Sequence, residues 1–326
     1  MVAAAVATAG LLAGCSAGST PTLPSGPTPT TSASTATASV GPRPGCDNNN
    51  PSSPTRVQSY APGASVSDLA SGASIAAIKQ RNKLRAAVSA DNLLFGFRNP
   101  VNGKLEGFDI DMVRTIARSI FDEPTASDAE IDQKIDYKVV NFAQRIPALL
   151  ANQVDVVADI MTINCTRWNQ IAFSAVYYTA SQKLLVPKGS GETIDDMDGK
   201  QVCTATGSTG SENLADNHKQ VKAVLVDDIS DCLVLFQQGK VDGIISDDTV
   251  VAGFASQDPY AEVSPKTLSA EPYGLGFQPR QTDLVRYVNA LLEQMRADGT
   301  WVKLYNQWLR ATLGGGTQPT PTYGRA

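Results

Sequence analysis

The chain has 326 residues, 42% hydrophobic and 18% charged, with a net charge of −5 and a pI of about 5.0. That length supports one large domain or two modest ones with real cores, and the acidic balance excludes the basic face a nucleic-acid partner requires. The single histidine, His218, removes most histidine-based metal sites and nucleophile–base arrangements, so neither a metal nor another cofactor is expected.

Residues 1–14 form an apolar, Ala-rich run too short to span a bilayer, which reads as a signal-peptide core. It ends in Leu11-Leu12-Ala13-Gly14-Cys15, and small residues immediately before a cysteine resemble the bacterial lipobox. That resemblance implies cleavage before Cys15 and lipidation of Cys15, holding the chain to the outer face of the cell membrane. The pattern departs from such signals in one respect: no Lys or Arg precedes Cys15. No later apolar run reaches the roughly 18 residues that a spanning helix needs. Over 15–55 the chain reads as a lipidated cysteine and a disordered tether. From 16 to 45 every residue is Ser, Thr, Pro, Gly or Ala except Leu23, Val40 and Arg43. Such composition cannot bury enough apolar surface to offset its ordering entropy. A tether of this length reaches roughly 30 Å.

The periodicity of the body predicts a helix over 66–81 with Leu69, Ile75 and Ile78 on its apolar face, then a strand over 84–88 and a turn at Asn102-Gly103. A helix follows from 108, where Val113, Ile116, Ala117 and Ile120 repeat at helical spacing; Asp109 and Asp111 are expected to cap its N-terminus. Strands are expected at 137–140, 154–160, 183–186 and 200–203, with a helix at 145–150 between the first two. Near the C-terminus, a helix over 284–296 stops at Asp298-Gly299, and Trp301, Leu304, Tyr305 and Trp308 then fall on one apolar stripe, read as core. Alternating strands and helices indicate α/β architecture with mainly parallel sheets. The Gly/Pro/Thr-rich segment 313–326 reads as a flexible tail.

Five motifs stand in one order: Gly107-Phe108-Asp109-Ile110-Asp111 through Ile120; Asp159-Ile160-Met161-Thr162-Ile163-Asn164 leading to Arg167; Asp198-Gly199-Lys200 leading to Gly207-Ser208-Thr209-Gly210; Gly239-Lys240-Val241-Asp242-Gly243 leading to Ser246-Asp247-Asp248; and Asp298-Gly299-Thr300-Trp301. Together they resemble the polar amino-acid solute-binding proteins of ABC importers (bacterial extracellular solute-binding proteins, family 3), in particular glutamate/glutamine-binding lipoproteins of actinobacteria. The resemblance covers roughly 66–312. It implies a two-lobed Venus-flytrap fold, with lobe one over 56–186 plus 273–312, lobe two over 187–272, two crossing strands between them, and hinge closure on the ligand.

The same resemblance assigns Arg167 to the ligand's α-carboxylate, Thr162 and Asp247 to its ammonium, and the Ser208-Thr209-Gly210 amides at a helix start to the carboxylate from the second lobe. Asp248 is the neighbouring alternative to Asp247. Thr209-Gly210-Ser211-Glu212 fits a capping box. Many relatives place an aromatic near Asn92, where this chain has Asp91-Asn92. Lys183 and Arg98 are the candidate cations for a distal carboxylate, which favours aspartate or glutamate, with glutamine or asparagine next. Four cysteines remain beyond Cys15, and an even number in an exported chain suggests two disulfides. Three pairings are possible; Cys203–Cys232, within one lobe, and Cys46–Cys165 are favoured. The expected partners are an amino acid and an ABC permease, or a membrane sensor protein through which the same body would signal; a monomer is expected. A dehydratase-like enzyme is the remote alternative, since His218 lies in a polar stretch and offers no evident general acid or base.

Overall fold

The strand Leu84–Val88 is buried along nearly its whole length, as a central parallel strand covered on both faces must be. In the computed structural model, which describes residues 46–47 and 57–325, it is the second strand of a five-stranded sheet. The signal run 1–14, Cys15 and most of the tether lie outside the described residues. The sheet order is Ile135–Val139, Leu84–Val88, Val156–Ala158, Gly276–Phe277 and Ala172–Phe173; the first three are parallel and Gly276–Phe277 runs antiparallel to both neighbours. A second sheet runs Lys222–Val226, Gln201–Ala205, Gly243–Asp247, Tyr178–Pro187 and Ala261–Val263. Each sheet is therefore the centre of one α/β lobe.

Two strands cross between them. Tyr178–Pro187 leaves the first lobe and enters the second sheet, and Ser269–Tyr273 returns antiparallel beside it, with Tyr273 opposite Tyr178. Aromatic side chains gather where the strands cross: Phe95 lies 5.2 Å from Tyr178 and 5.8 Å from Tyr273, ring centre to ring centre. Trp301 and Tyr305 of the helix Thr300–Trp308 complete that cluster, and the Trp301 indole donates to the Tyr177 carbonyl at 2.8 Å. The C-terminal aromatic stripe is thus core.

Three sequence expectations are corrected. The helix over 66–81 is two helices, Val66–Leu69 and Ala73–Arg81, parted at Gly72. Asp283, at the start of the helix Thr282–Ala297, accepts from the Ser74 amide and hydroxyl, each at 2.7 Å, so a distant carboxylate caps the second helix and fixes the break. Asp109 and Asp111 sit in the first turn of Phe108–Ile120 but cap no amide of that helix. Asp109 accepts from the Ile160 amide (2.9 Å) and the Tyr177 hydroxyl (2.7 Å); Asp111 accepts from Arg114 (2.9 Å) and the Trp308 indole (2.6 Å). The segment after Leu313 is not loose. Its end, Tyr323–Arg325, pairs in parallel with Ser59–Tyr60, and the Arg325 guanidinium lies over the Trp168 ring at 3.4 Å. Composition alone missed this because the anchoring residues are the few polar and aromatic ones: Gln318 donates to the Leu292 carbonyl at 2.9 Å and Tyr323 to Glu293 at 2.7 Å.

Disulfides join Cys203 to Cys232 within the second lobe and Cys46 to Cys165 at the start of the helix Cys165–Trp168. No helix among the described residues is long and apolar enough to cross a membrane.

Candidate functional site

The C-terminal ends of parallel strands and the N-termini of the following helices face one another across the cleft, the usual ligand position in open α/β sheets. A small pocket there is lined by Phe142, Arg145, Ile160, Thr162 and Arg167 from the first lobe and Ser208, Thr209, Gly210, Ser246 and Asp247 from the second.

Arg167 is delivered by the helix Cys165–Trp168. Asn164 caps that helix by accepting from the Arg167 amide at 2.8 Å, and the Cys46–Cys165 bridge ties down its first residue. The guanidinium is 5% exposed and donates to the carbonyls of Thr162 (3.1 Å) and Gly207 (3.1 Å). Thr162 gives its hydroxyl proton to Glu271 on the returning strand, at 2.7 Å, so its oxygen is left to act as an acceptor toward the cleft. On the far side, Ser208 and not Thr209 is the N-cap of the helix Thr209–Asn217; its hydroxyl accepts from the Ser211 amide at 3.0 Å. The capping residue stands one position earlier than the sequence pattern suggests because Gly207, with φ of +74°, turns the chain into the helix. The Thr209 and Gly210 amides open that helix, where no intrahelical acceptor exists.

Asp247 ends the strand Gly243–Asp247 and is buried in the pocket. Burial, then the neighbouring Glu271 charge, push its carboxyl well above the usual range, although the Tyr273 hydroxyl donates to it at 2.6 Å. A buried acid in that state gains from an incoming cation. Asp248 begins the next helix, outside the pocket lining, with one carboxylate oxygen unpartnered among the described residues.

Neither candidate cation for a distal carboxylate reaches the pocket. Lys183 donates to the Pro265 carbonyl at 2.7 Å, and Arg98 is exposed and bonds the Gly103 carbonyl of its own hairpin at 2.9 Å. The missed residue is Arg145. A turn at Phe142–Gln144, closed by a reciprocal Asn141–Gln144 cap, sets Arg145 at the head of the helix Arg145–Leu150. There its guanidinium is 3% exposed, lies 4.4 Å from the centre of the Phe142 ring, and donates to the carbonyls of Phe142 (3.0 Å), Asp159 (2.9 Å) and Gly207 (3.2 Å). Burial, and then the Arg167 charge, push its pKa down to about 10, so it remains cationic at neutral pH. The reciprocal Asn141–Gln144 pattern was a local signal for the turn, but nothing in the sequence says that its next residue faces the cleft. Asn92 is buried, with its amide nitrogen unpartnered among the described residues; the aromatic ring lining the cleft comes from Phe142. His218 is half-buried at the end of Thr209–Asn217 and is not part of the pocket lining.

Contacts between the lobes close the rim. Asn164 donates to Glu212 at 3.2 Å, the Ser230 amide to Asp91 at 3.3 Å, and both arginines meet the Gly207 carbonyl. The arrangement presents two fixed cations, an acid and free helix amides around one small volume.

The model of the bacterial extracellular solute-binding proteins, family 3, matches residues 84–311. The chain is 31% identical over 238 residues to the ABC transporter glutamine-binding protein GlnH of Bacillus subtilis (strain 168), covering 72% of this chain and 84% of that protein. It is 29% identical over 258 residues to the glutamate-binding protein GluB of Corynebacterium efficiens, covering 75% and 83%. Among solved structures, an ancestral arginine-binding protein bound to glutamine superposes with a TM-score of 0.63 at 33% identity, covering 70% of this chain and 98% of that one. The fold, the pocket at the lobe boundary and a family match over most of the body agree: this chain is a member of family 3 of the bacterial extracellular solute-binding proteins, the polar amino-acid receptors of ABC importers, which bind solutes rather than transform them.

Proposed function

We propose that this protein is a monomeric receptor, anchored to the outer face of the membrane through lipidated Cys15, that captures aspartate or glutamate and passes it to an ABC permease. Glutamine and asparagine come next in preference. The observation that carries the ligand class is the pair Arg145 and Arg167: each is buried, and each donates within 3.2 Å to the same Gly207 oxygen. An acidic amino acid brings two carboxylates to two guanidiniums and an ammonium to Asp247. A neutral amide offers Arg145 only an uncharged oxygen, a weaker partner for a buried cation. The relatives named for glutamine and glutamate support the same ligand size. The Leu11-Leu12-Ala13-Gly14-Cys15 run supports the anchor, and the Ser/Thr/Pro-rich stretch after it supports a tether over 15–55.

Isothermal titration of the protein, refolded to remove carried-over ligand with its disulfides kept, tests the reading against aspartate, glutamate, asparagine and glutamine. The acids are expected to bind more tightly than the amides. A preference for the amides would remove Arg145 as a reader of a distal carboxylate, and no heat from folded protein with any of the four would remove the amino-acid assignment.

A further inference from the structure

The helix Cys165–Trp168 that carries Arg167 is a single turn of four residues. A turn that short makes almost no internal hydrogen bonds, so its place is fixed by what packs against it. Arg167 lines the pocket; Trp168, the next residue, is buried but stands outside the lining. The Cys46 bridge and the Asn164 cap hold the start of the turn. At its end, the Trp168 indole donates to the Gln58 carbonyl at 3.4 Å, and the Arg325 guanidinium lies 3.4 Å from the centre of the Trp168 ring. The Tyr60 ring is 4.8 Å from the same guanidinium.

Arg325 is 8% exposed, and no carboxylate pairs with it among the described residues. Its Nη2 has no hydrogen-bond partner there, and its Nη1 reaches the Ile171 carbonyl only at 3.5 Å. Burial pushes its pKa down to about 10, so it stays cationic at neutral pH. A buried guanidinium without an acid costs stability. Anchoring of the C-terminal segment does not call for that cost, because Gln318, Tyr323 and the Ser59 amide, which donates to the Thr322 carbonyl at 2.9 Å, already tie it down. The strand Ser59–Tyr60 is a firm base for it. Asn289 of Thr282–Ala297 donates to the Ser59 hydroxyl (2.9 Å) and the Tyr60 carbonyl (2.7 Å) and accepts from the Ala175 amide (2.7 Å). What the buried cation provides is a flat stack on the ring of the residue next to Arg167.

We propose that Arg325 is a positioning residue for ligand binding: stacked on Trp168, it locks the turn that carries Arg167, so the C-terminal strand helps set the grip on the ligand's α-carboxylate. The inference rests on the reading of Arg167 above and deepens it. Arg325 is not in the pocket lining, so it acts through Trp168. A site residue binds tightly only when its supporting side chains hold it in the productive geometry. The α-carboxylate is common to glutamate and glutamine, so loosening Arg167 weakens both by the same factor and leaves the preference between them unchanged.

The test is calorimetric titration of glutamate and glutamine into the whole ligand-free protein and its Arg325→Ala variant. Affinity for both ligands should fall equally, by about fivefold or more, a part of what a desolvated cation–ring contact is worth. A second readout separates positioning from general loosening. The side-chain Nε–H resonances of Arg145 and Arg167, identified by their loss in Arg145→Met and Arg167→Ala, report the two guanidiniums individually. Arg325→Ala should shift or broaden that of Arg167 and leave that of Arg145 in place. Wild-type affinity in folded Arg325→Ala overturns the proposal, and so do an unmoved Arg167 resonance or equal disturbance of both arginines. If Arg325→Ala does not fold, Arg325→Met, which keeps the length of the side chain and removes the unpaired charge, is read by the same outcomes. Loss of binding in Arg167→Ala with Arg325→Ala unaffected would sink this inference alone; absence of binding by the wild type would remove the receptor reading as well.

Discussion

At the scale of single residues, the two arginines show what local pattern can and cannot reveal. Arg167 follows Asn164 at a fixed spacing inside a motif, and that spacing is the physical cap that holds it. Arg145 heads a helix whose sequence, Arg145-Ile146-Pro147-Ala148-Leu149-Leu150, reads as ordinary amphipathic pattern. Only the approach of Gly207 from the other lobe makes it a site residue. Lys183 and Arg98 were equally plausible by charge, and were lost because a long cation finds the nearest carbonyl, Pro265 for one and Gly103 for the other. Arg167→Ala should lower affinity for all ligands by roughly 30-fold or more, from about 2–5 kcal/mol for a truncated buried charge contact. Arg145→Met should weaken the acids by about tenfold or more while changing the amides less. Titration calorimetry on the two variants separates the roles, and equal losses for acids and amides in Arg145→Met would assign Arg145 to the shared α-amino-acid end of the ligand.

At the scale of elements, closure depends on close backbone approach. A Cβ on Gly207 would stand 2.8 Å from the Ala143 Cα across the rim, and the residue's φ of +74° strains any other side chain. Gly207→Ala should therefore bind ligand at least about tenfold more weakly, with the ligand-induced compaction seen in small-angle scattering reduced. The strain of one left-handed alanine costs only about 1–2 kcal/mol, so the ligand-free fold should persist. Unchanged affinity would show that this contact is not part of the bound state. Strands and helices were legible where periodicity is local: Leu84–Val88, Phe108–Ile120 and Arg145–Leu150 all fall where their patterns predict. The break at Gly72 was not, because its capping group, Asp283, lies more than two hundred residues away in sequence.

At the scale of the whole molecule, buried acids set the pH response. Asp109 and Asp159 are both pushed up to about 7, chiefly by burial, against about 3.9 for an aspartate in an unfolded chain. Between those values the folded protein binds more protons than the unfolded one, so stability falls as pH rises from about 4 to 7. Glu106, which is half-buried, and the exposed Glu130 and Asp196, all held low by side-chain or backbone hydrogen bonds, oppose this only weakly because solvent screens them. Thermal unfolding of the ligand-free protein should have a higher midpoint at pH 5.5 than at pH 7.5. A flat or reversed profile would mean that these two carboxyls are solvated or paired in solution.

The sequence by itself determined the alternation of elements, the order of the motifs and, through them, the family, and it set Arg167 and Ser208-Thr209-Gly210 inside motifs that the structure brings to one pocket. These are short-range consequences of side-chain size, hydrogen bonding and backbone freedom. Only the tertiary structure decided which cations meet in the cleft, which acids are buried without partners, and where residues 314–325 go. Each depends on groups brought together from distant parts of the chain, and burial and charge act on what is near in space, whatever its distance along the sequence.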